Sequence, residues 1–151
     1  HLTTCFPEAR IKKFMEMRGA DGGAWNRICA LPAFWVGLMY DNNSLDAAWD
    51  ICKSWDLDTR EDMRIKASVD GLNARVGNIK MLDLASRVLS ISNAGLKSRS
   101  HIGKGGYNET HFLSALKESI DTGKTPADEL LDKFNGDWNG DLTRIYSDFS
   151  Y

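Results

Sequence analysis

The feature that most constrains this chain is a change of period at residue 19. Between Glu8 and Arg18 the side chains alternate. Ile11, Lys13, Met15 and Met17 take one face of a strand, and Lys12, Phe14, Glu16 and Arg18 take the other. GADGG at 19–23 then breaks the pattern. Three glycines and an aspartate in five positions are a loop signal with freedom for positive φ. From Trp25 onward the apolar residues repeat at helical spacing. A lone strand cannot satisfy its own N–H and C=O groups, and no second strand pattern follows. The reading is an α+β chain, mostly helical, whose one N-terminal strand belongs to a sheet lying elsewhere. His1 in place of an initiator Met points the same way, to a piece of a longer polypeptide.

The helical part is punctuated by clear signals. Trp25, Ile28, Cys29, Leu31, Phe34, Trp35 and Leu38 predict a largely buried helix, bent or restarted near Pro32. Asp41-Asn42-Asn43-Ser44 is a turn and cap. Leu45, Ala48, Trp49, Cys52 and Trp55 form the next stripe. Thr59 with Asp62 resembles a capping box. Residues 72–78 read as a loop. Residues 79–98 read as the longest helix, with Leu82, Ala85, Val88, Leu89, Ile91 and Leu96 inward. The stretch 98–107 holds three glycines and reads as a mobile surface loop. Asn108 caps a helix that stops at Gly123. Thr125-Pro126-Ala127-Asp128 is the clearest start signal, with a capping threonine, proline at the first helical position and an acid three residues after the cap. A last short helix uses Leu142, Ile145, Tyr146 and Phe149. Trp25, Phe34, Trp35, Trp49 and Trp55 are expected in the core.

Composition removes several function classes. Nineteen Lys and Arg against 21 Asp and Glu leave a net charge of -2, without the basic field that a nucleic-acid or anionic-membrane binder needs. The longest apolar stretch, from Cys29 to Tyr40, is shorter than the roughly 20 residues of a membrane span and contains Pro32 and Gly37. Cys5, Cys29 and Cys52 form an odd set without a CxxC, which argues against a disulfide framework and for a reducing compartment. Each is expected to be a buried, inert thiol.

The residues best placed for chemistry are Glu16, Arg18 and the GADGG loop. Side chains two apart on a strand point the same way, roughly 6.5–7 Å apart. A carboxylate and a guanidinium aimed together beside a glycine loop suit a polyanionic ligand. The carboxylate can hold a divalent cation, and the guanidinium can take a carboxylate or phosphate through two parallel hydrogen bonds. The competing reading is an ordinary ion pair on a solvated strand face. Asp21 is a turn former or a ligand-side group. Gly103-Lys104-Gly105-Gly106 lacks the GxxxxGK[ST] pattern and the preceding strand of a phosphate loop. His101 and His111 have no metal-ligand spacing and read as surface or capping residues.

Taken together, HLTTCFPEARIKKFMEMRGADGGAW, CALPAFWVGLMYD and TGKTPADELLDKFNGDW resemble the plant and proteobacterial type of glutamate–cysteine ligase, over essentially the whole chain. Members of that family are longer, and this chain resembles their C-terminal third. The resemblance implies ATP- and Mg²⁺-dependent joining of the γ-carboxyl of L-glutamate to the amine of L-cysteine, through a γ-glutamyl phosphate, as the first step towards glutathione. It implies a glutamine-synthetase-like antiparallel sheet. Residues 1–24 would be its last strand and active-site loop, and 25–151 the helical region of the same catalytic domain. Glu16 would hold Mg²⁺, Arg18 would bind a substrate carboxylate or the transferring phosphoryl group as the catalytic cation, and Asp21 would border the substrate. The remaining metal and nucleotide ligands would lie upstream, so this chain alone is expected to be inactive. Ala24 departs from the pattern, which has proline there, and SRSHIGKGGYNETHF looks longer than the family's loop. A bacterial cytosol is the expected location, or a plastid if the source is a plant. Two other readings stay open: a related ligase with another acceptor amine, and a helical assembly module without catalysis.

Overall fold

The computed structural model describes residues 8–149. Two short antiparallel strands come first, β1 (Ala9–Ile11) and β2 (Met15–Met17). Helices α1 (Trp25–Met39), α2 (Asn42–Cys52) and α3 (Leu57–Asp70) follow. A second minimal hairpin, β3 (Arg75–Val76) with β4 (Ile79–Lys80), leads into α4 (Met81–Arg99). The chain closes with α5 (Ser114–Thr122), α6 (Pro126–Asn135) and α7 (Ile145–Asp148). The chain is thus α+β with a helical majority, as its periods imply. No helix among the described residues is long and apolar enough to cross a membrane.

The expected single strand over 8–18 is a hairpin. Lys12–Phe14 form the turn, closed by the Lys12 N–H donating to the Phe14 carbonyl at 2.8 Å. Alternation continues across such a turn, so the period alone does not reveal it. The expected loop at 72–78 contains a 3₁₀ turn and β3, and α4 begins two residues later than predicted because Ile79 and Lys80 pair with β3.

Helix starts follow side-chain acceptors. The Asp41 carboxylate accepts from the Ser44 N–H at 2.9 Å and opens α2. Asp56, not Thr59, caps α3: its carboxylate takes the Thr59 N–H at 2.8 Å, so the helix begins three residues earlier than the predicted box. Thr125 and Asp128 form the predicted capping box with Pro126 in the first turn. Helix α1 runs unbroken through Pro32 rather than restarting there.

The centre of the fold is the crossing of α1 and α4, and it is built from small residues. A Cβ on Gly95 would stand 1.9 Å from the Gly37 carbonyl oxygen, and one on Gly37 would stand 2.3 Å from that of Ser92. Two hydroxyls lock the contact: Ser92 donates to the Phe34 carbonyl at 2.8 Å, and Ser44 of α2 donates to the Ile91 carbonyl at 3.2 Å. Ala33, Leu96 and Leu113 form the buried cluster, with Phe34, Val36, Leu89 and Leu116 packed against it.

Candidate functional site

The first hairpin carries Glu16 in the middle of β2, directly opposite Arg10. The Arg10 Nε–H donates to Glu16 Oε2 at 2.8 Å, and Nη2 forms an ion pair with the same oxygen at 2.7 Å. The Arg10 hydrogen bond holds the Glu16 carboxyl below its ordinary range. The positive charges of Arg10, Lys12 and Arg18 add to this, against a smaller opposing effect of desolvation. The ion-pair reading of Glu16 is therefore realised, with a cross-strand arginine that spacing within one strand did not suggest. Only the turn at Lys12–Phe14, which alternation does not reveal, sets residue 10 against residue 16.

Arg18 follows β2 directly, and its backbone N–H donates to the Glu8 carbonyl at 2.7 Å, extending the hairpin by one rung. The glycine loop then leads to Ala24, the residue before α1. The expected loop is there, and Gly19, Gly22 and Gly23 all lie outside the positive-φ region, so it does not use the freedom that its glycines allow. Instead the lack of side chains leaves open space, with nothing within 4 Å of a Cβ built on Gly22.

Behind the hairpin and loop lies an open groove of 1230 Å³. Asp21 lines it together with Gly19, Ala20 and Gly22, whereas Glu16 and Arg18 lie outside the lining. The structure thus joins Glu16 to Arg10, and of the three predicted residues Asp21 alone lines the groove. At the groove's polar rim Arg27, in the first turn of α1, donates through Nη1 to Ser119 Oγ at 3.1 Å and faces Glu129 at 3.9 Å.

The other candidates resolve as follows. The loop at 100–108 closes on itself through an Ile102–Asn108 bridge. The Gly103 N–H donates to the Tyr107 carbonyl and the Gly106 N–H to that of Gly103, so these amides serve the loop rather than a phosphate. His101 and His111 are exposed, and His111 Nδ1 sits 2.6 Å from the Asn108 carbonyl oxygen at a helix start. Cys29 and Cys52 are half-buried free thiols, and Cys5 lies outside the described residues. The aromatic expectation needs correction. Trp25 and Trp49 are exposed. The buried tryptophan is Trp138, at 3% exposure. Its indole N–H donates to Asp148 Oδ2 at 2.8 Å.

Magnesium prefers oxygen donors and is commonly held by one or two carboxylates plus substrate phosphates. Glu16 fits that chemistry, since the Arg10 bridge engages Oε2. Among the described residues no group of three or more metal-ligating side chains converges.

The family model for glutamate-cysteine ligase family 2 matches residues 1–148. The chloroplastic glutamate–cysteine ligase of Arabidopsis thaliana is 44% identical over all 151 residues, which cover 28% of that protein. That of Medicago truncatula is 42% identical with 28% covered, and ligase A of Oryza sativa subsp. indica is 42% identical with 30% covered. The chain spans less than a third of the length of these relatives. A family match across nearly every residue places this chain in glutamate–cysteine ligase family 2.

Proposed function

We propose that this chain is part of an ATP-dependent ligase that joins the γ-carboxyl of L-glutamate to the amine of L-cysteine. The observation that carries the reading is the family match over residues 1–148. A carboxylate is a poor acyl donor, because oxide is a poor leaving group. Transfer of the ATP γ-phosphoryl group to the γ-carboxyl gives an acyl phosphate and ADP. The cysteine amine then attacks the acyl carbon, a proton leaves the nitrogen, and phosphate departs. Bound Mg²⁺ would neutralise phosphate charge. Negative charge grows on phosphoryl oxygens, so preorganised cations there lower the barrier.

In this reading the hairpin is a rigid mount. Glu16 offers its carboxylate to Mg²⁺ while Arg10 fixes its rotamer. Arg18, one residue beyond β2, meets the substrate carboxylate or the transferring phosphoryl group. Asp21 borders the substrate from the loop. Residues 1–24 belong with the catalytic sheet and 25–151 with the helices behind it, and the remaining ligands come from the rest of a family-length protein. The chloroplastic names of the relatives favour a plastid over a bacterial cytosol. The test is Arg18→Ala in a family-length protein carrying this stretch. Turnover with glutamate, cysteine and ATP should fall about 10²-fold or more with circular dichroism unchanged. Normal turnover would remove Arg18 from the reaction, and an unsubstituted protein that turns over a different amine would reassign the acceptor.

A further inference from the structure

The glycine loop at 19–23 is held at its two ends. Among the described residues no backbone N–H of 19–23 donates to a backbone carbonyl. Residues 18–22 are exposed, and burial begins at Gly23 and Ala24. The two ends are unequal. The near end leaves a sheet that consists of β1 and β2 alone among the described residues. Its strands present bare outer edges of N–H and C=O groups, and Ile11 at the hairpin tip is 81% exposed. A two-stranded hairpin is marginal by itself in water. The far end enters the packed helices and is the firmer anchor.

One residue holds that far end in three ways. The Arg27 N–H donates to the Ala24 carbonyl at 2.8 Å and closes the first turn of α1. The aliphatic stem of Arg27 runs beside Gly23, where an added Cβ would stand 3.5 Å from Arg27 Cβ and 3.7 Å from Cδ. The guanidinium then reaches two other helices. Nη1 donates to Ser119 Oγ of α5 at 3.1 Å, and Nη2 faces Glu129 Oε1 of α6 at 3.9 Å. The Ser119 hydroxyl donates in turn to the Ala115 carbonyl at 3.3 Å, which leaves an oxygen lone pair for Arg27. The Arg27 side chain is 23% exposed, so these contacts are partly shielded from water. A planar fork of donors serves two acceptors in one fixed pose, which a single ammonium on a flexible stem does not.

We propose that Arg27 is a positioning residue for the loop: by fastening the first turn of α1 to α5 and α6, it sets where the loop arrives and so where Asp21 stands at the groove. Both residues line that groove, and Arg27 acts on the loop rather than on the substrate. The kinetic consequence rests on the ligase reading, in which Asp21 borders the substrate. Glu16 and the Arg18 backbone are held separately, by Arg10 and by the Glu8 carbonyl. Loss of the Arg27 side chain therefore weakens substrate binding and spares the chemical step.

The test compares Arg27→Ala and Arg27→Lys with the parent in a family-length protein. Peptide-resolved hydrogen exchange reads the tie itself. The segment 24–30 should exchange about 10-fold faster in R27A, with α4 unchanged. Steady-state kinetics read the consequence. The KM for glutamate or for cysteine should rise about 10-fold or more in R27A, kcat should stay within about 3-fold, and R27K should fall between R27A and the parent. Unchanged exchange overturns the inference. Faster exchange with both KM values unchanged, the result of a purely structural tie, also overturns it, as does a loss confined to kcat. Should R27A fail to fold, Ser119→Ala combined with Glu129→Gln weakens both contacts and carries the same expectations. A parent without ligase turnover sinks the proposed function alone, and the exchange result then decides the tie between Arg27 and the loop.

Discussion

At the residue scale the informative contact is Arg10 with Glu16. The alternation of residues 8–18 revealed the faces of a strand, but not that the run doubles back, because the period survives the turn. Glu16 was legible as a candidate, and its partner was not. The partner matters chemically, since it lowers the carboxyl's pKa and holds its orientation. Arg10→Ala should raise the Glu16 pKa back towards its ordinary value of 4.5, read by carboxyl NMR titration of a family-length protein. The sign for stability follows from linkage. A lowered folded-state pKa stabilises above the unfolded value, and that contribution is lost as pH falls through the folded value. The variant should therefore lose less stability than the parent on acidification below about 4.5, seen in denaturant midpoints measured across that range. The buried Trp138 teaches the same lesson. Its surroundings in sequence are polar, and its partners come from α7 and the residue after it, where Asp148 accepts the indole N–H and Phe149 packs edge-on against the ring.

At the element scale, termini were more legible than contacts. The Thr125 box and the Gly123 stop are local events, written in four consecutive residues and one glycine. Helix crossings are not local. Gly37, Ser92 and Gly95 read as helix weaknesses along the chain, yet they form its tightest contact. Gly95→Ala puts a methyl into the Gly37 carbonyl, and the two backbones must part. The expected loss is about 3 kcal/mol, at the upper end of overpacking costs, measurable as a lower urea midpoint in a family-length protein. The entry to α1 predicts the opposite sign. Ala24 has φ of -59°, the value a proline ring imposes, and its N–H donates to no described residue. Ala24→Pro, the residue the family pattern expects, should stabilise by about 0.4–1 kcal/mol through the unfolded state, seen as a raised melting temperature. Substituting proline at this position therefore fits the backbone already adopted, so Ala24 does not require a different path for the loop.

At the scale of the whole molecule, fold class was legible because composition and period are global, while the groove was not, because a half-buried leucine has the same letter as a buried one. The described residues hold ten buried hydrophobic side chains, four of them alanines, against seventeen exposed large ones, so the helices surround less core than their apolar content allows. Among the described residues Glu16 is bridged to Arg10 and no group of metal-ligating side chains converges. The 151-residue chain incubated with ATP, Mg²⁺, glutamate and cysteine should release ADP at the blank rate, and release well above it would place a complete site within this stretch. The open edges of the hairpin carry a last consequence. A strand edge does not discriminate between its rightful neighbour and a stray one, and an exposed isoleucine at its tip favours sticking over dissolving. Produced in isolation, this polypeptide would be prone to precipitation, so its solubility depends on the company in which it is synthesised.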